Sequence, residues 1–178
     1  MKLHILTAVT RPENLPRIRE SIITAWEWAH GVDPIWHMRS DPDRRFVGGQ
    51  RLKNEMLEDI KDGWVVILDD DTVMHEKFMR KVNSFADSHG NAIVVSQKRV
   101  NGMVLQAAPE NAVVGGIDAG QAVLRRSFIG DYRIPETYAG DGMWLEVLLR
   151  DRTDVHYLPS SVLSLHNAIS GVDEGPRQ

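Results

Sequence analysis

Five consecutive apolar residues, Trp64-Val65-Val66-Ile67-Leu68, run directly into three aspartates, Asp69-Asp70-Asp71. A run this apolar has no solvent face, so it predicts a central strand buried on both sides, as in a parallel sheet. Adjacent carboxylates at the end of such a strand repel one another and need a cation or solvent. Open α/β sheets bind ligands beyond the carboxyl ends of their strands, where these acids fall. A hard divalent cation, held by one or two carboxylates and by substrate phosphates, suits them. An acidic turn capping the next helix would also place aspartates there.

The rest of the first half alternates strand and helix. Residues 2–9 read as a buried strand, with Leu3, Ile5, Leu6, Ala8 and Val9 apolar. A helix follows to about residue 30 on the stripe Leu15, Ile18, Ile22, Ala25, Trp26 and Ala29. Thr10 and Glu13 have capping-box spacing before it, and Gly31 is its expected stop. Residues 34–38 predict a second strand, 40–49 a loop, and 50–60 a second helix. A third helix is expected over 75–89 and a strand over 92–96. This alternation argues for parallel sheet units. The second half differs. Asn101-Gly102 signals a hairpin between 98–100 and 103–105. Short strands are expected over 121–124, 155–158 and 162–166, with a helix over 141–150. Trp26 and Trp64 are expected in the core.

Length and composition narrow the function classes. The chain has 178 residues, 42% of them hydrophobic, which suits one domain with a real core. A net charge of −4 and the lack of any basic run argue against nucleic acid as a partner. With no cysteine there is neither a disulfide framework nor a thiolate metal site, as expected of a cytoplasmic protein. No stretch reaches the roughly 18 apolar residues that a membrane span needs. The domain is expected to span 1–169, with 170–178 a flexible tail.

Two further constellations stand out late in the chain. Asp141 lies between Gly140 and Gly142 at an expected helix start, where it could cap the helix or face a ligand. His166 ends the apolar segment Leu163-Ser164-Leu165, as a metal ligand or a structural histidine. Trp144, one turn from Asp141, could face a ligand or pack in the core.

In order and spacing these residues resemble the family 2 glycosyltransferases and their relatives with the GT-A fold, over nearly the whole chain. Thr10-Arg11-Pro12-Glu13-Asn14 resembles that family's first turn, and Arg51-Leu52-Lys53-Asn54 its Ala-Arg-Asn helix, with Lys53 in the arginine place. Val66-Ile67-Leu68-Asp69-Asp70-Asp71 resembles its Leu-Asp-x-Asp motif, and Ala122-Val123-Leu124-Arg125-Arg126 the segment before its acceptor loop. Asp141 falls where the family has its catalytic carboxylate. His166, after Tyr157-Leu158-Pro159, falls where it often has a metal-binding histidine. Where the family has a Glu-Asp pair, this chain has Gly140-Asp141, so the register of the base stays open by a residue.

The resemblance implies a single Rossmann-like α/β domain with a mostly parallel central sheet flanked by helices and an antiparallel C-terminal portion. It implies transfer of a sugar from a nucleoside-diphosphate sugar, with UDP favoured, to the hydroxyl of an unknown acceptor, with inversion. Asp141 would be the general base, with Asp118 and Glu136 next in line. Asp71, Asp69 and His166 would hold Mn²⁺ or Mg²⁺. Thr7, Arg11, Asp41, Lys53, Asp69 and Asp70 would contact the donor. Two other readings stay open. A nucleotidyltransferase would want a glycine-rich loop after the first strand, and residues 7–11 contain no glycine. A non-catalytic nucleotide- or glycan-binding domain would bind without turnover.

Overall fold

The computed structural model describes residues 1–86, 90–166 and 168–169. The expected tail therefore lies outside the described residues, as does the end expected for the third helix. Among the described residues, eight strands form a single sheet: β1 (Lys2–Val9), β2 (Asp33–Ser40), β3 (Trp64–Ile67), β4 (Val73–Met74), β5 (Ala92–Arg99), β6 (Val104–Leu105), β7 (Ala122–Arg125) and β8 (Val155–His166). Their order is β2-β1-β3-β7-β5-β8-β4, with β6 paired to β5. β1 pairs parallel with β2 and β3, and β5 parallel with β8. β7 runs antiparallel to both β3 and β5, so β1, β2, β3, β5 and β8 all share one direction. The fold is thus mixed α/β, with mostly parallel strands and helices on both faces.

The apolar run behaves as its composition requires. All four residues of β3 are buried, and they alternate between two cores. Val65 and Ile67 face helices α2 (Gln50–Asp59) and α5 (Gly140–Leu149) in one core, through Met56, Leu57, Leu145 and Leu148. Trp64, Val66 and Leu68 face α1 (Leu15–Glu27) and α3 (Phe78–Ala86) in the other, through Ile18, Ile22, Phe78 and Val82. Each such side chain contributes about 1.5–3 kcal/mol of hydrophobic stabilisation when fully buried. A four-residue helix, α4 (Arg126–Ile129), follows β7 directly.

Several local expectations are corrected. The Thr10–Glu13 capping box does not form: residues 12–14 are a 3₁₀ turn without a side-chain cap, and Thr10 bonds Asp70 instead. The third helix begins at Phe78 because Val73–Met74 pairs with β8 as a short strand first. The two strand segments expected after residue 155 are one strand, whose register against β5 slips near Ser96. Trp26 is 50% exposed and only its indole N–H is engaged, by the Val32 carbonyl.

Topology sets where chemistry gathers. The shared direction brings the carboxyl ends of β1, β3, β5 and β8 to one edge of the sheet. β7 runs the other way, so the turn that starts it, residues 118–121, lies at that edge too.

Candidate active site

The three aspartates after β3 do three different jobs. Asp70 points back at the loop after β1. Its Oδ2 accepts from the Thr10 amide (2.5 Å), the Thr10 hydroxyl (2.8 Å) and the Arg11 amide (2.6 Å). Its Oδ1 accepts from Arg11 Nη1 at 3.1 Å, and Asn14 donates to its main-chain carbonyl. Asp70, expected to touch the donor, fastens two loops together and also lines the cavity described below. Asp71 takes the same guanidinium nitrogen at 2.9 Å and the Thr72 hydroxyl at 3.3 Å. Burial, and then the neighbouring Asp69, push its carboxyl up to about 6. Asp69 instead meets Lys53 Nζ at 2.8 Å. Burial pushes the Asp69 carboxyl upward, but the ammonium outweighs it and holds Asp69 below the usual range.

Lys53 is 2% exposed on the inner face of α2. Burial alone would discharge it. Asp69, Asp141 and Asp118 surround it and hold its pKa above the ordinary lysine value. This buried cation on α2 pairs with the end of β3, and its charge also acts on Asp141 at the start of α5.

Asp141 lies in the first turn of α5, its Oδ1 accepting from the Gly142 amide at 3.0 Å. Burial pushes its pKa up to about 6. Lys53 opposes the rise, and Asp118 and Asp69 add to it. Gly140 is required for packing, since a Cβ there would lie 1.9 Å from the Pro135 carbonyl oxygen. Gly142 lines the cavity.

His166 ends β8 with Nδ1 3.1 Å from the Thr72 hydroxyl and 4.0 Å from both Asp71 Oδ1 and Asp118 Oδ2. Asp118 caps the turn before β7. Its Oδ1 accepts from the Gly120 amide and from Gln97 Nε2, while its Oδ2 is turned toward His166. One ligand atom each from Asp69, Asp118 and His166 lie within 4.8 Å of one another. Two carboxylate oxygens and an imidazole nitrogen suit Mn²⁺ or Mg²⁺. The set differs from the expected one in bringing in Asp118, with Asp71 beside it.

These groups line a cavity of about 540 Å³, a size that suits a small-molecule ligand. On the β1 side its wall carries Arg11, Arg44, Phe46 and Gly48, and on the α5 side Tyr138 and Asp141. The 41–49 loop lies against β1 at Gly49, where φ is +67° and a Cβ would come within 2.4 Å of Ala8 Cβ. Two expected donor contacts stand behind this wall. Thr7 is fully buried and accepts from Trp36 Nε1, and Asp41 is fully buried and accepts from the Phe46 amide. Trp144 packs in the core at 4% exposure, and Glu136 is exposed outside the cavity. Gln50, Arg99 and Arg44 line the cavity without having been expected there. Asp118 had a signal, because Asp118 and Gln121 have capping-box spacing and form that box.

No protein-family profile matches the chain, and no curated protein matches it in sequence. Solved structures match its fold. S. aureus TarS 1-349 in complex with UDP-GlcNAc superposes with a TM-score of 0.68 at 11% identity, over 93% of this chain and 58% of that one. The chain therefore spans little more than half of that structure. A glycosyltransferase involved in the glycosylation of the major capsid of PBCV-1 matches at 0.51 and 14% identity, over 93% and 92%. A197 from STIV matches at 0.52 and 12%, over 94% and 83%. The chain shares its fold with a glycosyltransferase and with a protein solved in complex with a nucleotide sugar.

Proposed function

We propose that the chain is a metal-dependent, GT-A-type glycosyltransferase that moves a sugar from a nucleoside-diphosphate sugar to an acceptor hydroxyl with inversion. The observation that carries this reading is the convergence of Asp141, the Lys53–Asp69 pair and the Asp69–Asp118–His166 set on one cavity. UDP-GlcNAc in the TarS structure favours a uridine nucleotide as donor.

In this reading Asp141 accepts the proton of the acceptor hydroxyl as its oxygen attacks the anomeric carbon. The bond from that carbon to the diphosphate oxygen breaks, and its electron pair stays with the leaving diphosphate. A single displacement inverts the anomeric configuration. A pKa of about 6 leaves Asp141 mostly ionised at neutral pH, yet close enough to neutrality to serve as a base. Lys53 keeps Asp141 and Asp69 charged and in place. Asp69, Asp118 and His166, with Asp71 adjacent, would hold a divalent cation, which neutralises charge on the departing diphosphate when bound. Arg11 orders the loop after β1. Asp41 orders the loop that presents Arg44 and Phe46.

Incubation with UDP-sugars and Mn²⁺, with and without chelator, tests the reading. The expected result is metal-dependent release of UDP with transfer or hydrolysis of the sugar. Nucleotide binding without any turnover across the donor panel would leave only a binding module.

A further inference from the structure

Among the described residues, four lysine or arginine side chains line the cavity, and they are not alike. Arg11 and Lys53 are spent on Asp70, Asp71 and Asp69. Arg44 and Arg99 form no ion pair with an acidic side chain among the described residues. Arg44 is exposed on its loop. Arg99 is half-buried, and its Nε is closed off from solvent with no acceptor among the described residues. A guanidinium N–H left in that state forfeits its hydration with nothing in return.

Arg99 nevertheless lines the cavity, and the sheet register places the rest of its guanidinium. Arg99 ends β5 and pairs in register with His166, which ends β8. In-register residues of neighbouring parallel strands project from the same face. Gln97, two residues earlier on that face, donates to Asp118 at 3.1 Å and to Ser164 at 3.2 Å. One row thus runs outward from the support of Asp118 to Arg99 beside His166. Arg99 flanks the metal-binding set on the side of the sheet's carboxyl edge. A planar guanidinium suits the oxygens of a phosphate, which it can take in pairs. In sheet order β5 stands three strands from β1, or roughly 14 Å at the usual strand spacing. A nucleoside resting on the β1 wall would therefore reach β5 with its distal phosphate.

We propose that Arg99 binds the distal phosphate of the donor's diphosphate and stabilises it as a leaving group. This rests on the donor reading above. When the acceptor oxygen bonds to the anomeric carbon and gives its proton to Asp141, the carbon–oxygen bond to that phosphate breaks. The electron pair moves onto the phosphate oxygen, and the Arg99 N–H groups donate to the charge that develops.

The test is titration of wild type, Arg99→Gln and Arg99→Lys with UDP, UMP and uridine, each with Mn²⁺ and in chelator, alongside melting temperatures. Arg99→Gln is expected to weaken UDP binding about tenfold or more, and UMP and uridine less than threefold. The UDP-to-UMP discrimination lost in Arg99→Gln should be lost in chelator too, because the contact is direct. Arg99→Lys should fall between, keeping the charge and losing the planar fork. Should Arg99→Gln fail to fold, the Lys variant alone decides, and unchanged discrimination in it overturns the proposal. Equal UDP affinity in wild type and Arg99→Gln also overturns it, as does an equal loss of UDP and UMP. If wild type binds no nucleoside diphosphate at all, the donor reading itself falls, a result distinct from either of these.

Discussion

The cavity wall built from residues 7–71 and the wall built from residues 97–166 both carry carboxylates, yet they spend them differently. On the first, Asp70 takes four donors from Thr10 and Arg11, and Asp69 is paired with Lys53. Those acids fasten β1, β3 and α2 together. On the second, Asp118 has one oxygen bound by the Gly120 amide and by Gln97 and the other toward His166, and Asp141 accepts from the Gly142 amide at its own helix start. The first wall spends most of its carboxylate oxygens on fastening, while the second keeps an Asp118 oxygen turned toward His166 and Asp141 in the cavity lining. An aspartate count alone would have ranked them the other way, with the triplet first.

The sharpest way to break this comparison is Asp141→Asn. Asp141 lies in the first turn of α5 and does not cap it, and an asparagine amide oxygen can still accept from the Gly142 N–H, so the fold should persist. Turnover should fall on the order of 10²–10⁴-fold, the range typical of a lost general base, with nucleotide affinity near normal. Turnover and affinity measured on one sample decide it, with Glu146→Gln as the neighbouring control. Normal turnover in the Asn variant would remove Asp141 from the mechanism and make Asp118 the next candidate.

Next in size are Asp118→Asn and His166→Ala, which should each weaken Mn²⁺ affinity about 10–100-fold while leaving metal-free nucleotide binding intact. Calorimetric titration with the metal alone reads this directly. A fallen melting temperature with unchanged metal affinity would make either residue structural. Asp70→Asn probes the opposite wall. It sets an amide against donors that now meet a carboxylate, so stability should drop by about 1–3 kcal/mol in denaturant unfolding. Metal affinity of the folded fraction should hold. A variant as stable as wild type would end the distinction between fastening and open acids.

The difference between the walls also explains how much could be read from residues alone. The apolar run of β3 and the β1-to-α2 alternation depend on neighbours within a few positions, and they fold as their periodicity says. Asp69, Asp141 and His166 were legible because strand ends and helix starts mark them. Asp118 carried the spacing of a capping box, but only the reversed direction of β7 brings that turn to the site. Arg99 was hidden for a similar reason, since its significance comes from register with a strand 67 residues later. Thr10 was misread as a cap because Asp70, 60 residues away, takes its N–H and hydroxyl. Thr7 and Asp41 carry polar groups near strand ends, but Trp36 and Phe46 engage those groups behind the wall.

The smallest expected effect separates the active-site edge from the opposite end of the same strands. There His4 Nδ1 and His37 Nε2 lie 2.8 Å apart on β1 and β2, with the rings stacked. Burial lowers both pKa values. His37 and Lys2 lower that of His4 further, with Asp62 and Asp33 opposing; Asp59 opposes the lowering at His37, and Arg39 adds to it. Below about pH 6.5 the unfolded chain therefore binds more protons than the folded one, and stability falls as pH drops through that value. The loss stops growing only below the lowered folded-state values. Asp141 and Asp71, whose folded pKa values are raised to about 6, act in the opposite sense between pH 6 and 4. The comparison must therefore be a difference between proteins. His37→Leu should flatten the wild-type slope by up to about 1.4 kcal/mol per pH unit for each proton removed from the balance. The acid limb of turnover, set near 6 by Asp141, should not move. Unfolding free energies and pH–rate profiles of both proteins over pH 5–8 supply the check. A shift of the acid limb in His37→Leu would mean that the two ends of the sheet are coupled, and that the contrast between a structural end and a chemical end is drawn in the wrong place.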